Sequence, residues 1–155
     1  MYINVQNAGT AQEFSDKSKK GYWIILYYAN WCPHCQMMKP EWQKFAEKYR
    51  TNNKVNVAEV ESEFLNNLGE EHKQRIQGYP TVSCAKNGKV IANHEGPRTT
   101  DAFNDFANSN VVVYNNAHNN INNILRKHKK TKKKSKKTKG LKKKTKKTLK
   151  SKKTF

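Results

Sequence analysis

The longest apolar run of the sequence, "YWIILYYA" at 22–29, falls far short of the roughly 20 residues that a bilayer-crossing helix needs, so no transmembrane segment is expected. The opening "MYINVQNAGTAQEF" also lacks a charged start followed by an apolar stretch. No secretory signal is therefore expected, nor is a Lys-Asp-Glu-Leu-type ending visible, and the chain is expected inside the cell, cytoplasmic or nuclear. Cysteine is scarce at three residues, too few for a disulfide framework, which favours a functional use for the two that stand close together.

Acidic residues are missing from one end altogether. Residues 126–155 carry 18 of the 31 Lys and Arg residues and none of the 12 Asp and Glu, leaving 13 basic against 12 acidic residues in the first 125. The basic end has only Leu141, Leu149 and Phe155 as large apolar side chains and cannot offset the entropy of ordering. The sequence thus predicts one folded domain over 1–110, a trailing segment over 111–125 and a disordered Lys-rich arm over 126–155. Lys129, Lys130, Lys132, Lys133, Lys134, Lys136, Lys137, Lys142, Lys143, Lys144, Lys146 and Lys147 are its candidate polyanion-binding residues. Nucleic acid is the favoured partner, through counterion release and without sequence preference. A nuclear or nucleolar address, anionic lipid, acidic protein surfaces and a plain solubility tail are other readings of the same residues. No aromatic residues interleave with the lysines, so base stacking is not indicated.

Within the domain, the continuous apolar run at 22–29 suits a buried central strand. After Pro33, Met38, Trp42, Phe45 and Tyr49 recur at helical spacing, with Pro33 fit for a first helical position and Pro40 expected to kink the helix. A strand is expected over 54–60 and a weaker helix over 63–75. Two short strands around Asn87-Gly88 should form a hairpin over 80–94. A last helix over 99–109, with Thr100 as N-cap, should bury Phe103 and Phe106. The order strand, helix, strand, helix, hairpin, helix predicts an α/β fold, a mixed sheet with helices on both sides.

The stretch "WCPHC", Trp31 to Cys35, admits a metal site, a structural disulfide, a redox pair or coincidence. A zinc site needs about four ligands, and Cys84, His72 and His94 supply no second paired spacing, so no metal or other cofactor is expected. Cys84, on a strand that should be central, reads as a buried, inert thiol.

Several segments in one register resemble the thioredoxin superfamily, and within it a catalytic domain of protein disulfide isomerase. They are "YYANWCPHCQMMKPEWQKFAEKY", "IQGYPTV", "KNGKV" and "EGPRTTDAFNDFA". The resemblance spans about 3–109 and implies a thioredoxin-like fold, thiol-disulfide exchange with protein thiols and disulfides as substrates, and a redox partner that recharges the pair. Beside it stands the physical reading. Cys32 at a helix N-cap would be favoured as a thiolate and act as nucleophile; Cys35, one turn on and more buried, would resolve the mixed disulfide. His34 would support the thiolate, and Pro33 supplies no competing donor. A Cys32 pKa below neutrality and an oxidising couple are expected.

The resemblance further implies a cis peptide bond at Tyr79-Pro80, set against Cys32. Trp31 would cover one side of the site. Arg98 is either an arginine that lowers the resolving thiol's pKa or a solvated charge. Where the family carries a buried acid, this sequence has Leu26, and the usual lysine partner falls at Glu59. Either Glu59 performs the proton transfer, or it faces water and a bound water serves. The rival function is a nucleic-acid-associated or packaged protein on a thioredoxin scaffold, acting through its basic tail. In its Asn and Lys abundance, single domain and basic tail, the chain is similar to thiol oxidoreductases of large cytoplasmic DNA viruses, which would handle disulfides outside the secretory route, with a virion-associated location as an alternative to the cytoplasm or nucleus.

Overall fold

A computed structural model of the chain describes residues 1–50, 55–73, 75–111 and 121. The expected arm at 126–155 and nearly all of the trailing segment lie outside the described residues. The fold is that of the compact unit Met1–Val112.

Its elements are β1 (Tyr2–Val5), α1 (Ala8–Ser18), β2 (Tyr22–Tyr28), α2 (Pro33–Tyr49), β3 (Asn56–Glu61), a 3-10 turn (Ser62–Asn67), α3 (Glu70–Lys73), β4 (Thr81–Lys86) and β5 (Lys89–Asn93). A last helix, α4, covers 100–111. The five strands form one sheet in the order β1-β3-β2-β4-β5. β1, β3 and β2 are parallel, so α1 and α2 serve as crossovers, while β4 and β5 run antiparallel to their neighbours. This is the mixed α/β sheet with flanking helices of a thioredoxin-like fold.

β1 and α1 are additions to the expected order. The strand is only four residues long, and α1 opens on a variant capping box. Asn7 Oδ1 accepts from the Thr10 backbone N–H at 2.9 Å, and Thr10 Oγ1 accepts from the Asn7 N–H at 3.2 Å. A Thr at the third position is less visible in sequence than the usual Glu or Gln, although such a cap contributes about 1 kcal/mol. The helix expected over 63–75 is instead a 3-10 turn and one short helical turn, divided around Gly69. Glu61 caps the 3-10 turn by accepting from the Glu63 N–H at 2.8 Å.

The hairpin turns through Asn87 and Gly88, with φ of 50° and 81°, both in the left-handed region that Asn and Gly tolerate. Its tip makes one backbone and one side-chain hydrogen bond with the turn before β2: the Asn87 N–H donates to Gly21 O, and the Gly21 N–H donates to Asn87 Oδ1, both at 3.0 Å. The cap of α4 is Thr99 rather than Thr100. Thr99 Oγ1 accepts from the Ala102 N–H at 3.3 Å. Thr100 is drawn to α2 instead, donating from its N–H at 3.0 Å and its hydroxyl at 2.7 Å to Glu41 Oε2. Phe103 is fully buried, whereas Phe106 is only half-buried and packs its ring on His94.

Every residue of β2 is buried, so alternate side chains serve two different cores. Trp23, Ile25 and Tyr27 pack with Phe14, Ala58, Val60 and Leu68 on the α1 face. On the α2 face, Trp42, Phe45 and Phe103 form a cluster with centroids 5.1–5.9 Å apart. Burying each such ring contributes about 1.5–3 kcal/mol.

On the α1 face, His72 is 1% exposed, its Nδ1 is 3.0 Å from the Tyr27 hydroxyl and its ring lies 5.1 Å from Phe14. Burial pushes His72 below its ordinary value of 6.5, against the opposing charge of Glu71. The unfolded chain then binds more protons than the folded one just below that value, so stability should fall as pH drops through it. Urea unfolding midpoints should decline from neutral pH downward in the wild type. The decline should be shallower in His72→Phe, and equal slopes would contradict this assignment.

Candidate active site

β2 ends at Tyr28, and the chain turns at once into α2. The Cys32 N–H donates to Ala29 O at 3.1 Å, closing the turn. Cys32 is the N-cap of α2, with φ −86° and ψ 114°, and Pro33 follows in the first turn, where its missing N–H costs nothing. Its sulfur accepts from the Cys35 N–H at 3.4 Å, taking the place that a capping oxygen holds in other helices. Helix geometry therefore sets the second thiol one turn from the first.

The two thiols expose similar fractions to solvent, 5% and 6%, but Cys35 lies deeper among its neighbours, as expected. Depth of burial and local electrostatics together separate them. Burial opposes ionisation of Cys32, but the Cys35 thiol, the backbone N–H groups of Cys35 and His34 and the charge of Arg98 together outweigh it. They hold Cys32 below the ordinary thiol value. Burial, then the hydrogen bond with Cys32, pushes Cys35 up to about 11, with Arg98 opposing. His34 is exposed, and its backbone N–H is among the groups that favour the Cys32 thiolate.

The Tyr79-Pro80 bond is cis, and Tyr79 O accepts from Cys32 Sγ at 3.5 Å. Trp31 is 74% exposed and meets the Tyr79 ring edge-on, with centroids 6.2 Å apart. It flanks the site without covering it. Arg98 is exposed, yet its charge reaches both thiols, which unites the two readings left open for it. The tie between Thr100 and Glu41, two residues on, fixes this end of α4 against α2. Arg98 also lines a groove of about 140 Å³ with Met38, Pro80, Val82, His94, Glu95 and Gly96.

Leu26 and Glu59 are register partners on β2 and β3 and so point to the same side of the sheet. Glu59 is largely buried. It is 8% exposed, and its Oε1 accepts from Trp42 Nε1 at 2.8 Å. The Tyr2 hydroxyl also bonds to Glu59 and, through burial first and this carboxylate second, is pushed well above the usual phenol range. Tyr2 and the polar role of Trp42 escaped the sequence reading. Tyr2 was hidden with β1, and Trp42 carried only the signal of a helix core position.

Cys84 is fully buried in β4, and burial pushes its thiol up to about 12. Among the described residues, no group of three or more His, Cys, Asp or Glu side chains could hold a metal, and no helix is long and apolar enough to cross a membrane. The candidate lysines of 129–147 lie outside the described residues.

The profile of the thioredoxin family matches residues 5–109. A thioredoxin domain-containing protein of Theileria parva is 33% identical over 105 residues, which cover 68% of this chain and 46% of the relative. The human thioredoxin-related transmembrane protein 1 is 37% identical over 87 residues, covering 56% of this chain and 30% of that one. The chain thus spans less than half of these relatives. Among solved structures, the first thioredoxin domain of mouse protein disulfide-isomerase A4 superposes with a TM-score of 0.55 at 25% identity, covering 69% of this chain and 74% of that one.

The electrostatics order the three thiols. Under limiting iodoacetamide at neutral pH, Cys32 should be alkylated first, Cys35 more slowly, and Cys84 only on unfolding. Arg98→Met should raise the Cys32 pKa, read from thiolate absorbance; an unchanged titration would remove Arg98 from the site.

Proposed function

The chain belongs to the thioredoxin family, and from that premise we propose that it is a thiol-disulfide oxidoreductase acting on protein substrates through Cys32 and Cys35. The observation that carries this reading is the pairing of a cap-stabilised Cys32 with a resolving thiol one turn away, pushed up to about 11. The Cys32 thiolate attacks one sulfur of a substrate disulfide, whose other sulfur leaves with the electron pair. Cys35 then attacks Cys32, forming the Cys32–Cys35 disulfide and releasing the second substrate sulfur as a thiolate. Two electrons pass from the protein dithiol to the substrate. A dithiol or disulfide partner resets the couple, and the same steps in reverse oxidise a substrate dithiol. The Tyr79 carbonyl, at 3.5 Å from Cys32 Sγ, marks a backbone edge beside which an extended substrate segment can lie.

Stabilising the thiolate stabilises the dithiol, so the disulfide form becomes the better oxidant. Cys32→Ser should abolish turnover in insulin reduction and dithiol oxidation. Cys35→Ser should instead trap a mixed disulfide, visible as a reducible adduct. Turnover that survives Cys32→Ser would defeat the proposal.

A second activity is supported by composition alone. The 18 basic residues of 126–155, without any acid, favour binding of polyanions, nucleic acid first. Affinity for duplex DNA should fall by on the order of 10³-fold between about 50 and about 200 mM salt and vanish on deletion of 126–155. Absence of any electrophoretic shift at low salt would dismiss it. Intact oxidoreductase turnover in the deletion would separate the two activities and argue against the tail as the sole function.

A further inference from the structure

The resolving step requires a proton to leave Cys35, because only a thiolate attacks a disulfide sulfur. With that thiol pushed up to about 11, only about one molecule in 10⁴ carries the thiolate at neutral pH. Beside Cys35 a cavity of about 40 Å³ is lined by Leu26, Ala29, Cys35, Lys39, Trp42 and Glu59, among others, which is room for about one water. The carboxylate in its wall is fixed by the 2.8 Å hydrogen bond from Trp42.

Glu59 and Lys39 also line a second, larger pocket of about 330 Å³ between β1, β3 and α2. Its other walls are mostly polar, including Tyr2, Asn4, Gln6 and Gln43. The Asn4 Oδ1 atom is buried there without a protein partner, as suits a group that binds water. Glu59 is the acidic group common to both spaces, one ending at a buried thiol and the other opening on the β1 side of the sheet.

We propose that Glu59 accepts the Cys35 proton through water in the cavity the two side chains share, and passes it to solvent through the polar pocket on the β1 side. This inference rests on the redox reading of the cysteine pair. In the forward step the S–H bond of Cys35 breaks and its proton goes by way of water to the Glu59 carboxylate. The Cys35 thiolate forms the bond to Cys32 Sγ, and the bond from Cys32 to the substrate breaks, with its electron pair leaving on the substrate sulfur. That thiolate takes a proton from bulk water, and Glu59 returns one to it. In substrate oxidation the protonated Glu59 restores the proton to Cys35.

The groups that face Glu59 come from every neighbouring element. They are the Tyr2 phenol from β1, the Tyr28 phenol from β2, Glu61 from its own strand, and Lys39, Glu47 and Arg50 with Cys35 from α2. Lys39 bounds both spaces.

The test is stopped-flow resolution of a preformed mixed disulfide on Cys32, across pH. Glu59→Gln retains an oxygen for Trp42 but is a poor proton acceptor. Its resolving rate should fall on the order of 10²-fold at neutral pH, with the gap narrowing as pH rises toward the Cys35 value of about 11. Glu59→Asp should recover part of the rate, while mixed-disulfide formation stays as in the wild type. An unchanged rate and pH profile in Glu59→Gln, with normal mixed-disulfide formation, would overturn the role of Glu59 alone. Failure of the wild type to form any mixed disulfide would overturn both readings. Should Glu59→Gln not fold, carboxyl-carbon NMR on the wild type decides. The Glu59 titration should differ between the dithiol and disulfide forms, and identical curves would refute the relay.

Discussion

A sulfur atom occupies the place where α2 needs a hydrogen-bond acceptor. The first backbone N–H groups of any helix lack partners within it, and in this chain Cys32 Sγ takes one of them, from Cys35, at 3.4 Å. The same contact caps the helix, lowers the cost of charge on Cys32 and fixes Cys35 one turn away. A structural requirement of the helix and a chemical requirement of the site are thus met by one hydrogen bond. Pro33 fits the arrangement because the first helical residue has no N–H to lose.

The sheet supplies what the helix cannot. β2, buried along its whole length, delivers the Cys32 turn from the centre of the molecule, and β3 beside it brings Glu59 into register with Leu26. On the other side of β2, the segment that leads into β4 brings the Tyr79 carbonyl to the sulfur of Cys32. Glu41 then holds Thr100 against α2 and keeps Arg98 within electrostatic reach of both thiols. Two thiols of similar exposure but different depth thus differ in their ease of ionisation, one lowered and the other pushed up to about 11.

Polar chemistry on the α2 face is concentrated toward β1. Trp42 contributes its ring to the aromatic cluster and its N–H to Glu59, so a residue that reads as packing also orients a buried carboxylate. This dual use lets an acid lie beneath the aromatic core without an unpaired oxygen at Oε1.

The sequence by itself determined the elements whose signals are local. The apolar run at 22–29, the helical spacing from Met38 to Tyr49 and the Asn87-Gly88 turn each depend on neighbours a few residues away, and each stands in the fold. The cysteine spacing likewise announced a pair on one helical turn. β1 and α1 were not legible because a four-residue edge strand and an Asn-x-x-Thr cap carry little local signal. Thr100 was misread as a cap because its preference for Glu41 is a contact across 59 residues. Only the tertiary structure decided that Glu59 is buried, that Arg98 reaches the thiols and that the His34 N–H is among the groups favouring the Cys32 thiolate. Each of those depends on strand register and helix docking, which bring together groups that the order of residues keeps apart.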